Sequence, residues 1–231
     1  MLDRLRESLL FFIGNFGRIC VIVIPFALPL NIFSDLYYSY FLTEETHSFL
    51  LGNLPYSIYL LVNPIYSGAL IWYFSKTVLE DAWDWNLREC LSAGFRFWPQ
   101  MITVSVFCFL LITVGLFAFI LPGIVLIARF AFAEFMVVIE GDTAADAIKK
   151  SVFLTRSFQI DLMSNFVLLI VIIGGSELGA VYLIDKIFPG NILLSVGVKT
   201  IFAVFLELTD VMFFRYYCLL KEQTPKGNTA G

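Results

Sequence analysis

Histidine is almost missing from this sequence: His47 is the only one in 231 residues. One imidazole cannot build a metal cluster, and no Ser-His-Asp set, Gly-rich phosphate loop or metal-ligand spacing is present. Charge is scarce as well. Charged residues make up 15% of the chain, against about 25% in an average soluble domain. The net charge of −4 and the pI near 5.0 exclude a nucleic-acid partner, which calls for a basic face. The four cysteines, Cys20, Cys90, Cys108 and Cys218, lie in apolar or amphipathic stretches without a CxxC pair. They read as buried thiols rather than a disulfide framework or a zinc site. Polar segments are too short to fold a soluble catalytic domain. Asp81 and Asp84 stand at a polar helix start, where capping and solvation explain them. The expectation is no enzyme, no cofactor and no metal.

What the chain has is apolar length. Hydrophobic residues reach 59% and mean hydropathy is +0.85, with 25 phenylalanines. About 20 consecutive apolar residues suffice for a helix to cross the hydrocarbon. Six stretches have or approach that length: 18–39, 54–75, 98–120, 121–140, 162–185 and 191–219. The fold class expected is an all-α integral membrane protein of six transmembrane helices; five, with 54–75 re-entrant, is the rival. Arg4 and Arg6 before an apolar run imitate a signal peptide, but Pro25 and Pro29 interrupt it and no Ala-x-Ala site follows. No cleavage is expected.

Basic residues set the orientation, because lysine and arginine accumulate on the cytoplasmic side. On the six-span scheme one side carries Arg4, Arg6, Arg18, Lys76, Arg88, Arg96, Lys149, Lys150, Arg156, Lys221 and Lys226, and the other only Lys186. Both termini are then cytoplasmic, and the loop with Glu44, Glu45 and His47 is outside.

Three polar segments have helical character: 2–16, 79–97 and 142–158. In the last, Asp142 or Thr143 can cap the helix. Ala144, Ala147, Ile148, Ser151, Val152, Thr155 and Phe158 then share one face, and Asp146, Lys149, Lys150 and Arg156 take the rest. Such a helix lies in the headgroup layer or packs on its own bundle. Arg6, Arg88, Lys149 and Lys150 are the interfacial cations. Leu5-Arg6-Glu7-Ser8-Leu9 returns as Leu87-Arg88-Glu89-Cys90-Leu91 and, more loosely, as Ile148-Lys149-Lys150-Ser151-Val152. In those registers Ile19, Met101 and Leu162 coincide. This suggests a threefold unit of one interfacial helix and two spans, with units 1–78, 79–140 and 141–220 inside one membrane domain (1–220) and a polar tail at 221–231. The alternative is that cytoplasmic amphipathic helices simply draw on the same few residue types.

Charges within the spans are the sharpest local feature, since each costs at least about 2.5–3.5 kcal/mol without a partner or water. Arg129, Glu177 and Lys199 are each expected about 12–14 Å deep, with Glu177 the counter-ion for one or both cations. Glu134, Glu207 and Asp210 form an acidic layer nearer the cytoplasm, and Arg215 is placed to snorkel inward. At about 100° per residue, Lys199, Glu207 and Asp210 fall in one arc of roughly 80°. The cluster is either an ion-pair network that fixes packing or a path for an ion, proton or substrate. Pro25, Pro29 and Asn31 interrupt the first span, Asn63-Pro64 the second, and Gly174-Gly175-Ser176 loosens the fifth. The small residues Gly174, Gly175, Ser176, Gly179 and Ala180 are expected to mark close helix packing.

From about residue 85 onward the chain resembles a known group. Leu121-Pro122-Gly123-Ile124 opens a span, Ser151 and Thr155 follow on an amphipathic helix, and Phe214-Arg215-Tyr216 closes the last crossing. Together these resemble the YciC-like bacterial inner-membrane proteins, and the membrane domain attached to some glycerophosphodiester phosphodiesterases. Residues 1–84 match only in layout. The resemblance implies topology and a bacterial inner membrane; phosphodiesterase activity does not carry over, because the chain holds no such catalytic domain.

The function expected is that of a non-enzymatic envelope protein that organises or senses lipid or assists other membrane proteins. The alternative is a transporter or channel for an ion or small solute that uses the midplane charges. The expected partners are membrane lipids and other membrane proteins, without nucleic acid.

Overall fold

Long apolar runs leave the backbone little choice but the helix, which pairs its N–H and C=O groups within the segment. A computed structural model describes residues 2–40, 52–79, 84–118, 120–157 and 159–223, and every described element is helical. The helices are α1 (Leu2–Tyr40), α2 (Leu54–Leu79), α3 (Leu87–Ala118) and α4 (Ile120–Phe130). A short α5 (Ala133–Phe135) then runs into a π-turn (Met136–Glu140). After it come α6 (Ala144–Leu154), a 3-10 turn (Thr155–Ser157), α7 (Gln159–Ile187), α8 (Ile192–Leu206) and α9 (Leu208–Gln223). Glu44, Glu45, His47, Asp81, Phe158 and Lys226 lie outside the described residues, as does the tail beyond Gln223.

Among the described residues five stretches are long and apolar enough to cross a membrane: Arg4–Tyr40, Leu54–Val78, Leu87–Gly115, Ile160–Ile187 and Ile192–Glu222. Segment 121–140 differs from the uninterrupted span expected of it. The helix stops at Phe130, turns at Ala131 and Phe132, and restarts as α5 and the π-turn. It ends at Gly141, whose φ of 71° is the left-handed conformation that glycine adopts without strain.

The amphipathic segments also differ from expectation. Residues 2–16 are not a separate helix but the opening of the 39-residue α1, about 58 Å long at the usual rise. The described part of 79–97 likewise opens α3. In α1 no proline separates the polar turns from the apolar ones, and Gly14 and Gly17 alone do not stop a helix. α1 also continues through Pro25 and Pro29, α2 through Pro64 and α3 through Pro99. Only the third segment forms its own helix, because the 3-10 turn Thr155–Ser157 separates α6 from α7. Thr143 is its N-cap and accepts the Asp146 N–H at 3.3 Å, while Asp142 binds Lys150 instead.

The face of α6 carrying Ala147, Ser151 and Thr155 is buried. Ser8, Cys90 and Ser151, equivalent in the three similar segments, are all buried, and so are Ile19, Met101 and Leu162. The core is aromatic and aliphatic: Phe12, Tyr66, Tyr73, Phe74, Phe132 and Tyr216 are fully enclosed. Phe135 stacks on Tyr217 with ring centroids 5.9 Å apart.

Close packing occurs at other glycines than those expected. A Cβ on Gly174, Gly175 or Gly179 would meet nothing within 4 Å. These residues sit on an open side of α7, so they do not mark a helix contact. A Cβ on Gly94 would lie 2.2 Å from the Ile65 carbonyl oxygen, and one on Gly115 3.2 Å from the Cα of Gly123. The intimate pairs are therefore α2 with α3 and α3 with α4, the chain neighbours that pack along one another.

Cross-helix contacts define two ends of the bundle. At one end Arg215 meets Glu7, Arg4 meets Asp161, Trp72 meets Glu89 and Lys221 meets Glu140. At the other end Asp35, Asp185, Asn191 and Lys199 gather where α7 passes to α8.

Candidate functional site

Three of the acids singled out from sequence come together. Glu134 stands on α5 just after the break in segment 121–140. Glu207 occupies the turn between α8 and α9, and Asp210 the first turn of α9. Both positions follow from interrupted helices, whose loosened backbone turns these side chains inward. The three line a cavity of about 360 Å³ together with Tyr59, Asn63 and Cys108, and among the described residues no lysine or arginine lines it. Ser105 donates to Glu134 Oε1 at 2.8 Å and Ser67 to Oε2 at 3.1 Å. Glu207 and Asp210, on either side of the turn into α9, lie close enough to act on each other electrostatically. Tyr66 donates to Tyr59 at 3.0 Å on the cavity margin.

Such a set cannot carry three full negative charges in an apolar interior without compensation. Like charges in low dielectric exclude one another unless a proton or a cation is shared. Among the described residues no group of three acids, cysteines or histidines is placed to hold one metal ion. The acids are spread along the cavity, an arrangement suited to passing a proton or a weakly held monovalent cation from one carboxylate to the next.

The midplane trio is arranged differently from expectation. Lys199 bonds Asp35 of α1, not Glu177. Beside that pair, Asn31 donates to Thr200 at 3.2 Å, a second polar tie between α1 and α8. Glu177 feels the Lys199 charge but makes no ion pair with a described residue. Arg129 makes none either; it contributes its carbonyl instead, which accepts from Ser151 at 2.7 Å. The shared arc of Lys199, Glu207 and Asp210 also fails. The helix turns at Glu207, so Lys199 faces α1 while the two acids face the cavity. Arg215 does not snorkel inward: its Nη2 meets Glu7 at 2.7 Å, and both side chains are about half exposed.

Of the interfacial cations, Arg6, Arg88 and Lys149 are exposed. Lys150 is engaged by Asp142 at 2.6 Å and Glu140 at 3.5 Å. Glu140 also accepts from Tyr217 at 2.6 Å and pairs with Lys221 at 3.2 Å, which ties α9 to the π-turn. The four thiols are free; Cys90 is buried and the other three are half-buried.

Sequence reasoning passed over several contributors. Asp35 is a charge inside the first apolar run, and the test that found Arg129 and Lys199 would have found it too. Ser67, Ser105 and Asn63 give no such signal, because hydroxyl and amide residues are ordinary in apolar helices and only their convergence on one cavity marks them.

No protein-family model matches the chain, and no curated protein or solved structure matches it.

Proposed function

We propose that the chain is a multi-pass membrane protein that passes a proton or small monovalent cation through the bilayer, with Glu134, Glu207 and Asp210 as the relay. One observation carries this reading: three acids from two interrupted helices line a single cavity of about 360 Å³ that, among the described residues, no basic side chain lines. Ionisable groups inside apolar spans are costly, and they serve where charge must move. Interrupted helices are also where transporters place their ion sites. The reading gives the protein no enzymatic chemistry and no bound cofactor.

The proposal includes six crossings, with α4, α5 and the π-turn together making the fourth. It places both termini in the cytoplasm of a bacterial inner membrane. The basic residues support this orientation, since Arg4, Lys150, Arg215 and Lys221 meet their partners at one end of the bundle. The matching burial of Ser8, Cys90 and Ser151, and of Ile19, Met101 and Leu162, supports a threefold unit. Kinship with the YciC-like proteins rests on the short motifs at 121–124, 151–155 and 214–216. A second reading, lipid organisation or help to other membrane proteins, is favoured by α6 and the turn after it, where exposed Phe153 stands beside Lys149 and Arg156.

The test is proton flux into proteoliposomes carrying a trapped pH-sensitive dye, driven by a potassium diffusion potential. Wild type should acidify or alkalinise the lumen well above protein-free vesicles, and Glu134→Gln and Glu207→Gln should each abolish that flux while eluting as the same folded species. Replacing the proton gradient with rubidium uptake distinguishes the ion carried. Wild-type vesicles no faster than empty ones for either ion would end the proposal.

A further inference from the structure

The second polar centre is a cavity of about 430 Å³ at the end where α7 passes to α8. Asp35 and Lys199 lie within it, Asp185 joins them, and the rings of Tyr38, Tyr182 and Phe188 form part of its wall. The Asp35 side chain is 9% exposed and the Lys199 side chain 29%. The carboxylate is thus enclosed, and the cation covering it reaches in from the cavity. Glu177 lies within electrostatic range of the same ammonium without pairing to it. Besides Asp35, the Lys199 ammonium therefore has the carboxylate of Glu177 within reach of its charge, at the end of a flexible four-carbon stem.

We propose that this cavity binds an organic ammonium ion with an apolar body, whose charged head takes the place of the Lys199 ammonium at Asp35 while Lys199 swings to Glu177. The exchange leaves both carboxylates paired. The incoming ammonium pairs with Asp35, and the displaced ammonium pairs with Glu177, so no charge is left uncompensated in the apolar surroundings. Asp185 adds an exposed carboxylate at the cavity, which draws cations inward. Tyrosine faces attract organic cations more than neutral molecules of the same shape. The volume is far more than a bare ammonium needs, so the body of the ligand contributes through apolar contact. This inference goes beyond the relay and does not depend on it, because it concerns a site separate from the acidic cavity.

The probe is 2-phenylethylammonium chloride, titrated calorimetrically into the full chain in lipid nanodiscs, with the neutral 2-phenylethanol as control. Saturable binding of the ammonium and none of the alcohol is expected. Lys199→Met should bind about tenfold tighter, because the built-in competitor for Asp35 is gone. Glu177→Gln should bind about tenfold weaker, because Lys199 loses its alternative partner. Glu177 makes no ion pair in the observed state, so its variant tests the exchange even if Lys199→Met fails to fold. Equal binding of the alcohol, no saturable binding, or Glu177→Gln binding like wild type overturns the proposal. Ammonium binding without any proton or rubidium flux sinks the relay and leaves this site standing. Flux without ammonium binding does the reverse.

Discussion

Ser151 donates its hydroxyl proton to the carbonyl of Arg129 at 2.7 Å and accepts the N–H of Phe132 at 3.1 Å. One side chain on α6 thus satisfies both backbone groups freed where α4 ends. Thr155 sits one turn on, donating to the Ser151 carbonyl at 2.8 Å. The break that turns Glu134 toward the acidic cavity is held from outside its own helix. Ser151→Ala leaves the buried Phe132 N–H unmatched, at about 1–3 kcal/mol, and leaves the Arg129 carbonyl only the longer 3.5 Å bond from Thr155. Thermal unfolding in detergent should show a clear loss of stability, larger than for Val152→Ala on the same helix.

Two glycine substitutions should act in opposite directions. Gly94→Ala drives a methyl group into the Ile65 carbonyl and must part α2 from α3, so its melting temperature should fall. Gly174→Ala meets nothing and gains helix propensity of about 1 kcal/mol, so its melting temperature should hold or rise. Parallel melting curves of the two variants check both.

Two of the inter-helix ion pairs should differ in worth. Arg215 and Glu7 are about half exposed, and such pairs contribute about 0–1 kcal/mol, so Arg215→Ala should be nearly silent in stability. Asp35 is enclosed, and stranding a buried charge costs about 3–5 kcal/mol. Lys199→Met should therefore be markedly destabilised. The double variant Asp35→Asn with Lys199→Met should recover most of that loss, which a thermal double-mutant cycle measures.

Stability should fall at both pH extremes through the Glu140 cluster. Burial alone would raise the Glu140 carboxyl, but hydrogen bonds from Tyr217 and Lys221, with the charges of Lys221 and Lys150, outweigh it and hold it below 4.5. Its contribution is complete above the unfolded value and is lost as pH falls through the folded one. Lys150 is lifted above 10.5, first by its hydrogen bond to Asp142. Its contribution is complete below the unfolded value and disappears as pH rises through the folded one. Glu140→Gln should flatten the acid limb of a melting-temperature profile and reduce the alkaline limb less, because Asp142 still holds Lys150.

Much of this was legible in the residues. Apolar run length marks the long helices, Asp142 or Thr143 marks the start of α6, and Glu134, Glu207 and Asp210 read as one acidic layer. What escaped depends on space rather than on period. Neither Asp35 nor Lys199 says which other helix it will face, and Glu177 was the nearer candidate only on a count of depth. The break after Phe130 has no proline or glycine at it; its freed backbone groups are met by Ser151, about twenty residues away. The glycines of α7 look like a packing stripe in one dimension, yet packing needs a neighbour, and α7 has none on that side.

α1 has one more implication. At about 58 Å it is nearly twice the roughly 30 Å of hydrocarbon it would cross, and it holds Glu7 near one extremity and Asp35 near the other. A stiff rod so anchored acts as a lever. A ligand that releases Lys199 from Asp35 would free the far arm, and the displacement would be felt at Glu7 and its arginine with no chain of intermediate contacts required. Pro25 and Pro29, sitting between the two anchors, are where such a rod would bend.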